Sequence, residues 1–193
     1  TQEEKAVLKT AESEYRGFNE QQKYVRGLYS GGTLCSEATL LLAEILPNVT
    51  SNAPPRAELK MMDTKISAGH ALIDLGDEEF TVGRAHPMID PFVRKQRILQ
   101  EAKDPETAVI LLDVVLGYGS HEDMAKILCE SIMEAKSLQA GAGGYLSVVA
   151  SVVGTFEDPQ RREEQVKKLT ESGVIVMPSN AQATRMAALI ASR

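Results

Sequence analysis

The residues best suited to bind an anion are Ser30-Gly31-Gly32-Thr33, which follow a predicted strand and open a predicted helix. Glycine lets the backbone approach a ligand closely, and the free N–H groups at a helix start favour a negative charge. The hydroxyl groups of Ser30 and Thr33 add two donors. No lysine follows, so the segment is not a Walker loop. We expect it to bind a phosphate-like group; the alternative is a tight strand-to-helix turn capped by Ser30 or Thr33.

Asp113 is the second candidate, at the end of an apolar predicted strand. A carboxylate there is costly to bury without a partner, so we expect it to bind a ligand or to act as an acid or base. The alternative is a carboxylate that accepts N–H groups from a neighbouring loop. Gly117 and Gly119 follow and offer another close backbone approach to a cofactor, whereas His121 is expected to be an exposed residue at a helix start.

Two further loops contain polar groups after predicted strands. Arg84 pairs well with a carboxylate or phosphate, and His86 can donate a proton, so both are candidate catalytic residues. Asp90, directly before Pro91, fits a helix N-cap and is expected to be structural. Thr155 follows the last long apolar strand and adds a hydroxyl group for cofactor binding, in a loop that contains no histidine.

These loops lie between short β-rich runs and longer helical patterns, an alternation that predicts a parallel sheet. Ligands bind such sheets at the carboxyl ends of the strands. The predicted fold class is α/β, flavodoxin-like and doubly wound, with a mostly parallel sheet. The predicted strands are 24–29, 79–83, 109–115, 145–153 and 174–177. The predicted helices are 33–45, 91–102, 122–136, 159–172 and 181–191.

Residues 47–76 interrupt this alternation, and we expect a small extended insertion or hairpin there. Residues 1–23 are predicted to form an N-terminal helix and linker of a longer protein, because the chain starts at Thr1 without a methionine. Residues 24–193 are predicted to form one domain. Helix N-caps are predicted at Ser120, at Asp158 and at Ser179 or its neighbour Asn180.

The composition limits the class of protein. The net charge of −6 argues against a general nucleic-acid surface, and 43% hydrophobic with 25% charged residues is ordinary for a globular domain. The sequence shows neither an apolar run of the roughly 18 residues that a membrane span needs nor a signal peptide, so we expect no membrane partner and a cytoplasmic location. Cys35 and Cys129 have no CxxC partner, which favours buried thiols and no metal.

Three stretches resemble a known family: SGGTLCSEA at 30–38, HPMIDPFVRKQRILQEAKDPETAVILLDVVLGYGSHED at 86–123 and ASVVGTFEDPQ at 150–160. They are similar to the ligase domain of succinyl-CoA synthetase alpha-type proteins, and more closely to the FdrA branch of acyl-CoA synthetase-like proteins. The resemblance runs from about residue 24 to the C-terminus. It implies a phosphate-facing helix start at Ser30 to Thr33, CoA or an acyl or carbamoyl phosphate as non-covalent ligand, and a dimer.

The resemblance also implies further domains of the same polypeptide, namely a CoA-binding domain and a second ligase-like domain. In one respect the sequence differs. Succinyl-CoA synthetases have a catalytic histidine in a GHAG-like loop, where this chain has FEDPQRREEQ. Without that imidazole the loop has no covalent phosphate carrier, which argues against ordinary ATP-dependent CoA ligation.

Three functions follow from the resemblance. The first is an acyl-CoA synthetase-like enzyme in which this domain holds an acyl phosphate. The second is a carbamoyltransferase acting on carbamoyl phosphate and oxamate, since FdrA proteins are linked to anaerobic allantoin breakdown. In both, Ser30, Gly32 and Thr33 would bind phosphate, Arg84 or His86 would polarise the reacting group, and Asp113 would orient the acceptor. The third is a non-catalytic assembly module, and in all three we expect the isolated chain to be inactive.

Overall fold

Six parallel strands form the centre of the computed structural model, which describes residues 1–192; Arg193, the last residue of the predicted domain, lies outside the described residues. The strands are β1 Tyr24–Tyr29, β2 Val49–Ser51, β3 His70–Asp74, β4 Thr107–Val115, β5 Ser147–Val153 and β6 Ile175–Met177. The α-helices are α1 Gln2–Tyr15, α2 Gly32–Ala43, α3 Glu78–Thr81, α4 Phe92–Ala102, α5 Met124–Gly141, α6 Arg162–Glu171 and α7 Asn180–Ala191. A short 3₁₀ turn spans Ala57–Leu59.

The strand order is β2-β3-β1-β4-β5-β6, with every neighbouring pair parallel. Without the three-residue edge strand β2, this is the flavodoxin order, and the predicted doubly wound α/β fold is confirmed. The order reverses between β1 and β4. Ligands in such sheets bind at the carboxyl ends of the two strands that flank this switch point.

Helices cover both faces of the sheet, as the continuously apolar strands β4 and β5 require. One core lies under α4, α5 and α6 and includes Ile98, Leu128 and Leu169. The other lies under α1, α2 and α7 and includes Leu42 and Ala187. No helix within residues 1–192 has the length and apolar character needed to cross a membrane.

The predicted strand 79–83 is wrong, because these residues overlap the short helix α3. Asp77 caps that helix, since its carboxylate accepts a hydrogen bond from the N–H of Glu79. The predicted extended insertion at 47–76 is also corrected. It supplies β2 and β3, which pair in parallel with each other, and β3 pairs with β1, so the segment belongs to the main sheet.

Two helices begin later than predicted. Helix α5 is capped by Asp123, which accepts from the N–H of Lys126, and Ser120 is not its cap. Asp158 does not cap α6, because its carboxylate accepts from the N–H of Thr155 and closes a turn in the preceding loop. Ser179 caps α7 as predicted. Ser120 lies about one turn before the true cap, and the carboxylate of Asp158 accepts from its own loop instead.

Candidate functional site

The carboxyl ends of β1, β3 and β4 meet at the switch point, and α2 begins there. This arrangement brings together residues that are far apart in the sequence, from four elements and the loops between them. We call this group the α2 site: Ser30, Gly31, Gly32, Thr33, Asp74, His86, Arg94 and Asp113.

Asp113 is fully buried at the centre of the α2 site. Its Oδ1 accepts from the N–H of Ser30 at 2.9 Å. Its Oδ2 accepts from the N–H of Gly31 at 2.9 Å and from Oγ of Ser30 at 3.1 Å. The carboxylate thus accepts N–H groups of a neighbouring loop, the alternative that the sequence left open. This geometry favours a positioning role over direct contact with an acceptor.

Arg94 of α4 balances the charge of Asp113. The guanidinium is fully buried, and its Nη2 donates to Oδ1 of Asp113 at 2.6 Å and also to the backbone oxygen of that residue. Nε donates to the carbonyl of Leu28 at 3.2 Å. Burial lowers the pKa of Arg94 while Asp113 raises it, and a guanidinium remains charged in proteins. Because the charges of Asp113 and Arg94 cancel each other, the pair does not neutralise the positive end of the α2 helix dipole.

The start of α2 retains free donors. Gly31 is the N-cap, and no side chain forms a cap bond, so neither Ser30 nor Thr33 caps the helix. Within the described part of the chain, the amides of Gly32, Thr33 and Leu34 have no hydrogen-bond partner, and neither has Nη1 of Arg94. Unpaired amides at a helix start form a site for an anion when a ligand can reach them. Thr33 is exposed, so this end of the helix is accessible.

Asp74 is a site residue that the sequence analysis did not single out. It ends β3, is 8% exposed, and its Oδ1 accepts from the N–H of Gly76 at 2.9 Å. A Cβ atom at Gly32 would lie 2.7 Å from Oδ2 of Asp74, so the carboxyl group lies directly beside the helix start, and a side chain at position 32 would displace one or the other. Burial raises the pKa of Asp74, and the charges of Asp77 and Asp113 raise it further. A carboxyl group of this kind can keep a proton to donate.

His86 faces the same position. Its Nδ1 accepts from the N–H of Met88 at 3.2 Å, so the proton of the neutral imidazole is on Nε2. A Cβ atom at Gly76 would lie 2.5 Å from that Nε2 and 3.1 Å from Oδ1 of Asp74. The imidazole and the carboxyl group therefore converge on Gly76, next to the start of α2.

The structure does not bring Arg84 into the α2 site. Its side chain is exposed, and the guanidinium lies over the ring of Phe92, 5.8 Å from the centroid. Asp90 is structural but is not the N-cap of α4, which is Pro91; its carboxylate accepts from the N–H of Phe92 at 3.0 Å in the turn before the helix.

The remaining predicted cofactor-binding residues serve their own loops. The N–H and carbonyl groups of Gly117 both bond to the side chain of Gln160, at 3.0 and 2.7 Å, so its amide is already paired. Gly119 has a φ of 88°, which fits a turn that favours glycine. The hydroxyl oxygen of Thr155 accepts from the N–H of Glu157 within the same turn. None of the three is among the residues that gather at the start of α2.

Fold and site together define an α/β domain with unpaired backbone amides at a helix start at its switch point. The chain belongs to the CoA-ligase family, whose sequence profile matches residues 28–190. It is 46% identical over 160 residues to the uncharacterized protein YahF of Escherichia coli (strain K12). That match covers 83% of the chain and 31% of YahF, so the chain spans about a third of the length of this relative.

A solved structure is also similar. The chain matches the FMN-dependent cysteine decarboxylase TvaF from thioviridamide biosynthesis with a TM-score of 0.44 and 12% identity, covering 90% of this chain and 99% of that one.

Proposed function

We propose that the chain is the ligase domain of an FdrA-type acyl-CoA synthetase-like enzyme, and that the α2 site binds the phosphoryl group of an acyl phosphate. The observation that carries the proposal is the set of free amides of Gly32, Thr33 and Leu34 at the switch point. A phosphoryl group would accept these three N–H groups and face the positive end of the helix dipole. Membership of the CoA-ligase family supports an acyl phosphate and CoA as the ligands.

Asp74 and His86 are the groups that would handle protons at this site. Nε2 of His86 would donate to an oxygen of the acyl phosphate, since Nδ1 is already occupied by Met88. Burial raises the pKa of Asp74, so its carboxyl group takes up a proton more readily than an ordinary aspartate, and once protonated it would donate to the leaving phosphate. Asp113 and Arg94 would hold the turn at Ser30 and Gly31 in place from below.

A second candidate function is acyl transfer directly from carbamoyl phosphate to an acceptor such as oxamate. The observation that favours it is the loop after β5, which contains no histidine at 154–160. Direct attack on a mixed anhydride needs positioning of the leaving phosphate and no covalent phosphate carrier. Both functions use the same phosphoryl site, and they differ in whether CoA or another acceptor receives the acyl group.

The test is a titration of inorganic phosphate, acetyl phosphate and carbamoyl phosphate into the chain by calorimetry. Gly32→Ala is the informative variant, because the new methyl group would lie 2.7 Å from Oδ2 of Asp74 and must displace either that carboxyl group or the helix start, both of which belong to the α2 site. We expect saturable binding in the wild type and a loss of about tenfold or more in this variant, equivalent to about 1.4 kcal/mol.

Gly141→Ala is the matched control, since a methyl group there has no neighbour within 4 Å. It should bind phosphate as the wild type does. No saturable binding by the wild type, or equal binding by Gly32→Ala, would rule out the phosphoryl site. The order of affinities of acetyl and carbamoyl phosphate then separates the two candidate functions.

A further inference from the structure

A second cleft lies beside the α2 site, at the carboxyl ends of β5 and β6. It has a volume of about 510 Å³ and lies between α2, the loop after β5 and the first turn of α7. Its apolar walls come from Leu34, Val153 and Phe156, and its polar walls from Glu37, Arg162 and Asn180. None of its charged residues belongs to the α2 site.

Arg162 brings a positive charge to this cleft. The sequence alone suggests a solvated helix face here, but the side chain is half-buried, and its Nε donates to the carbonyl of Val152 at 3.2 Å. No carboxylate oxygen among residues 1–192 lies within 4.0 Å of its guanidinium, so the terminal N–H groups remain available. An anchored and unpaired guanidinium is well suited to bind a carboxylate through two N–H groups.

Glu37 brings a negative charge to the same cleft, and buried groups fix its orientation. Nδ2 of Asn180 donates to Oε2 of Glu37 at 2.7 Å and to the carbonyl of Leu34 at 2.9 Å. Oδ1 of Asn180 accepts from the hydroxyl group of Tyr29 at 3.1 Å. Asn180 is 5% exposed and Tyr29 is fully buried, so this chain of hydrogen bonds holds Glu37 from inside the core.

The two charges line one cleft without pairing with each other. An unpaired cation and an unpaired anion on apolar walls match a ligand that has both charges on an apolar skeleton. We propose that the cleft binds an apolar α-amino acid, with the carboxylate of the ligand on Arg162, its ammonium group on Glu37, and its side chain against Leu34 and Phe156. Tyr29 and Asn180 are positioning residues for Glu37. The proposal does not rest on the phosphoryl site, although Leu34 contributes its amide to that site and its side chain to this cleft.

The experiment is a titration of L-leucine into the chain, compared with two half-ligands. Isocaproate lacks the ammonium group, and isoamylamine lacks the carboxylate. We expect saturable leucine binding at millimolar concentrations and binding at least about tenfold weaker for each half-ligand, because each loses one charge-assisted contact. Arg162→Gln should abolish the preference for leucine over isoamylamine, and Glu37→Gln the preference over isocaproate.

Two control variants change the same charges outside the cleft. Arg161→Gln alters an exposed neighbour that pairs with Glu164, and Glu44→Gln alters an exposed residue after α2. Both should bind leucine as the wild type does. Absence of saturable leucine binding, or unchanged binding by Arg162→Gln, would each overturn the proposal. The phosphate titration of the α2 site is unaffected by any of these results.

Discussion

Asp113 is a buried carboxylate whose charge is balanced by one guanidinium, that of Arg94. Removing either charge should therefore lower the free energy of unfolding. Asp113→Asn keeps the shape but leaves Arg94 buried without a counter-charge. We expect the free energy of unfolding to fall by about 3–5 kcal/mol, as is typical when one partner of a buried ion pair is removed. Urea unfolding measures this. The control is Asp63→Asn, a change at an exposed loop residue. It should alter the free energy of unfolding by less than about 0.5 kcal/mol. Equal stabilities of the two variants would contradict the account.

His70 makes the stability depend on pH. Burial, and secondly the charge of Arg26, together lower its pKa to about 4, while its Nδ1 accepts from the N–H of Val25 at 3.1 Å. The folded state therefore favours neutral histidine, and the unfolded chain takes up the proton first as the pH falls. The contribution of His70 is fully present above pH 6.5 and is lost as the pH falls through about 4.

The measurement is the free energy of unfolding across that pH range for the wild type and for His70→Asn. Asparagine keeps an acceptor for Val25 but does not titrate there, so the variant should lose less stability than the wild type on acidification. Identical pH dependences would show that His70 is not the titrating group.

At the residue scale, the sequence singled out the helix start at Ser30 to Thr33, which the structure places at the switch point, but not the residues that support it. Ser30 to Thr33 could be found because glycines and hydroxyl residues stood between a strand and a helix pattern. Arg94 could not be assigned to the site, although its spacing of four from the buried Ile98 indicates a position on the apolar face of α4. Asp74 was missed because its strand was not recognised.

At the element scale, α4 holds the loop that precedes β3. Nη1 of Arg97 donates to the carbonyl of Thr64 at 2.7 Å, Nη2 to Oγ of Ser67 at 2.9 Å, and Nε to Glu101 at 2.6 Å. Arg97→Met would remove these bonds to the loop. We expect the amides of residues 61–69 to exchange hydrogen faster, while those of β4 keep their protection.

Lys95→Met is the control for this experiment. Lys95 lies on the same helix, and its ion pair is with Glu130 of α5 at 3.4 Å, so the loop should keep its wild-type exchange rates. Equal exchange in the two variants would mean that α4 does not hold the loop.

Element prediction was accurate for the long patterns and for the short strand β6, and inaccurate for β2, β3 and α3. Strand β1 and most of β4 and β5 were found because their apolar runs have few alternatives. Strand β2 has three residues, too few for a periodic pattern. Residues 79–83 include the aromatic Phe80 and the β-branched Thr81 and Val82, residue types common in strands, but the cap at Asp77 and the acidic first turn stabilise α3 instead.

At the scale of the whole molecule, the sheet order brings Ser30, Asp74 and Asp113 together, because β1 lies between β3 and β4. A single sequence gives no direct information on this order, which depends on long-range strand pairing. The alternation of strand and helix patterns predicted the doubly wound fold, and the structure supplied the neighbours of each loop.

The full polypeptide should release phosphate from carbamoyl phosphate plus oxamate if the second candidate function holds. With labelled ATP, it should form no phosphohistidine at 154–160, since these residues include no imidazole. Phosphate release at the background rate would exclude carbamoyl transfer to oxamate. A stable phosphohistidine elsewhere in the polypeptide would favour the synthetase.

The most direct test of the phosphoryl site is to follow the backbone amide resonances of the ¹⁵N-labelled chain while carbamoyl phosphate or inorganic phosphate is added. The amides of Gly32, Thr33 and Leu34 should shift in a saturable way, because they are the free donors at the start of α2. The amides of Ser30 and Gly31 should shift less, since Asp113 already accepts from them. Saturable binding that leaves the three α2 amides unmoved, or no binding at all, would contradict the account.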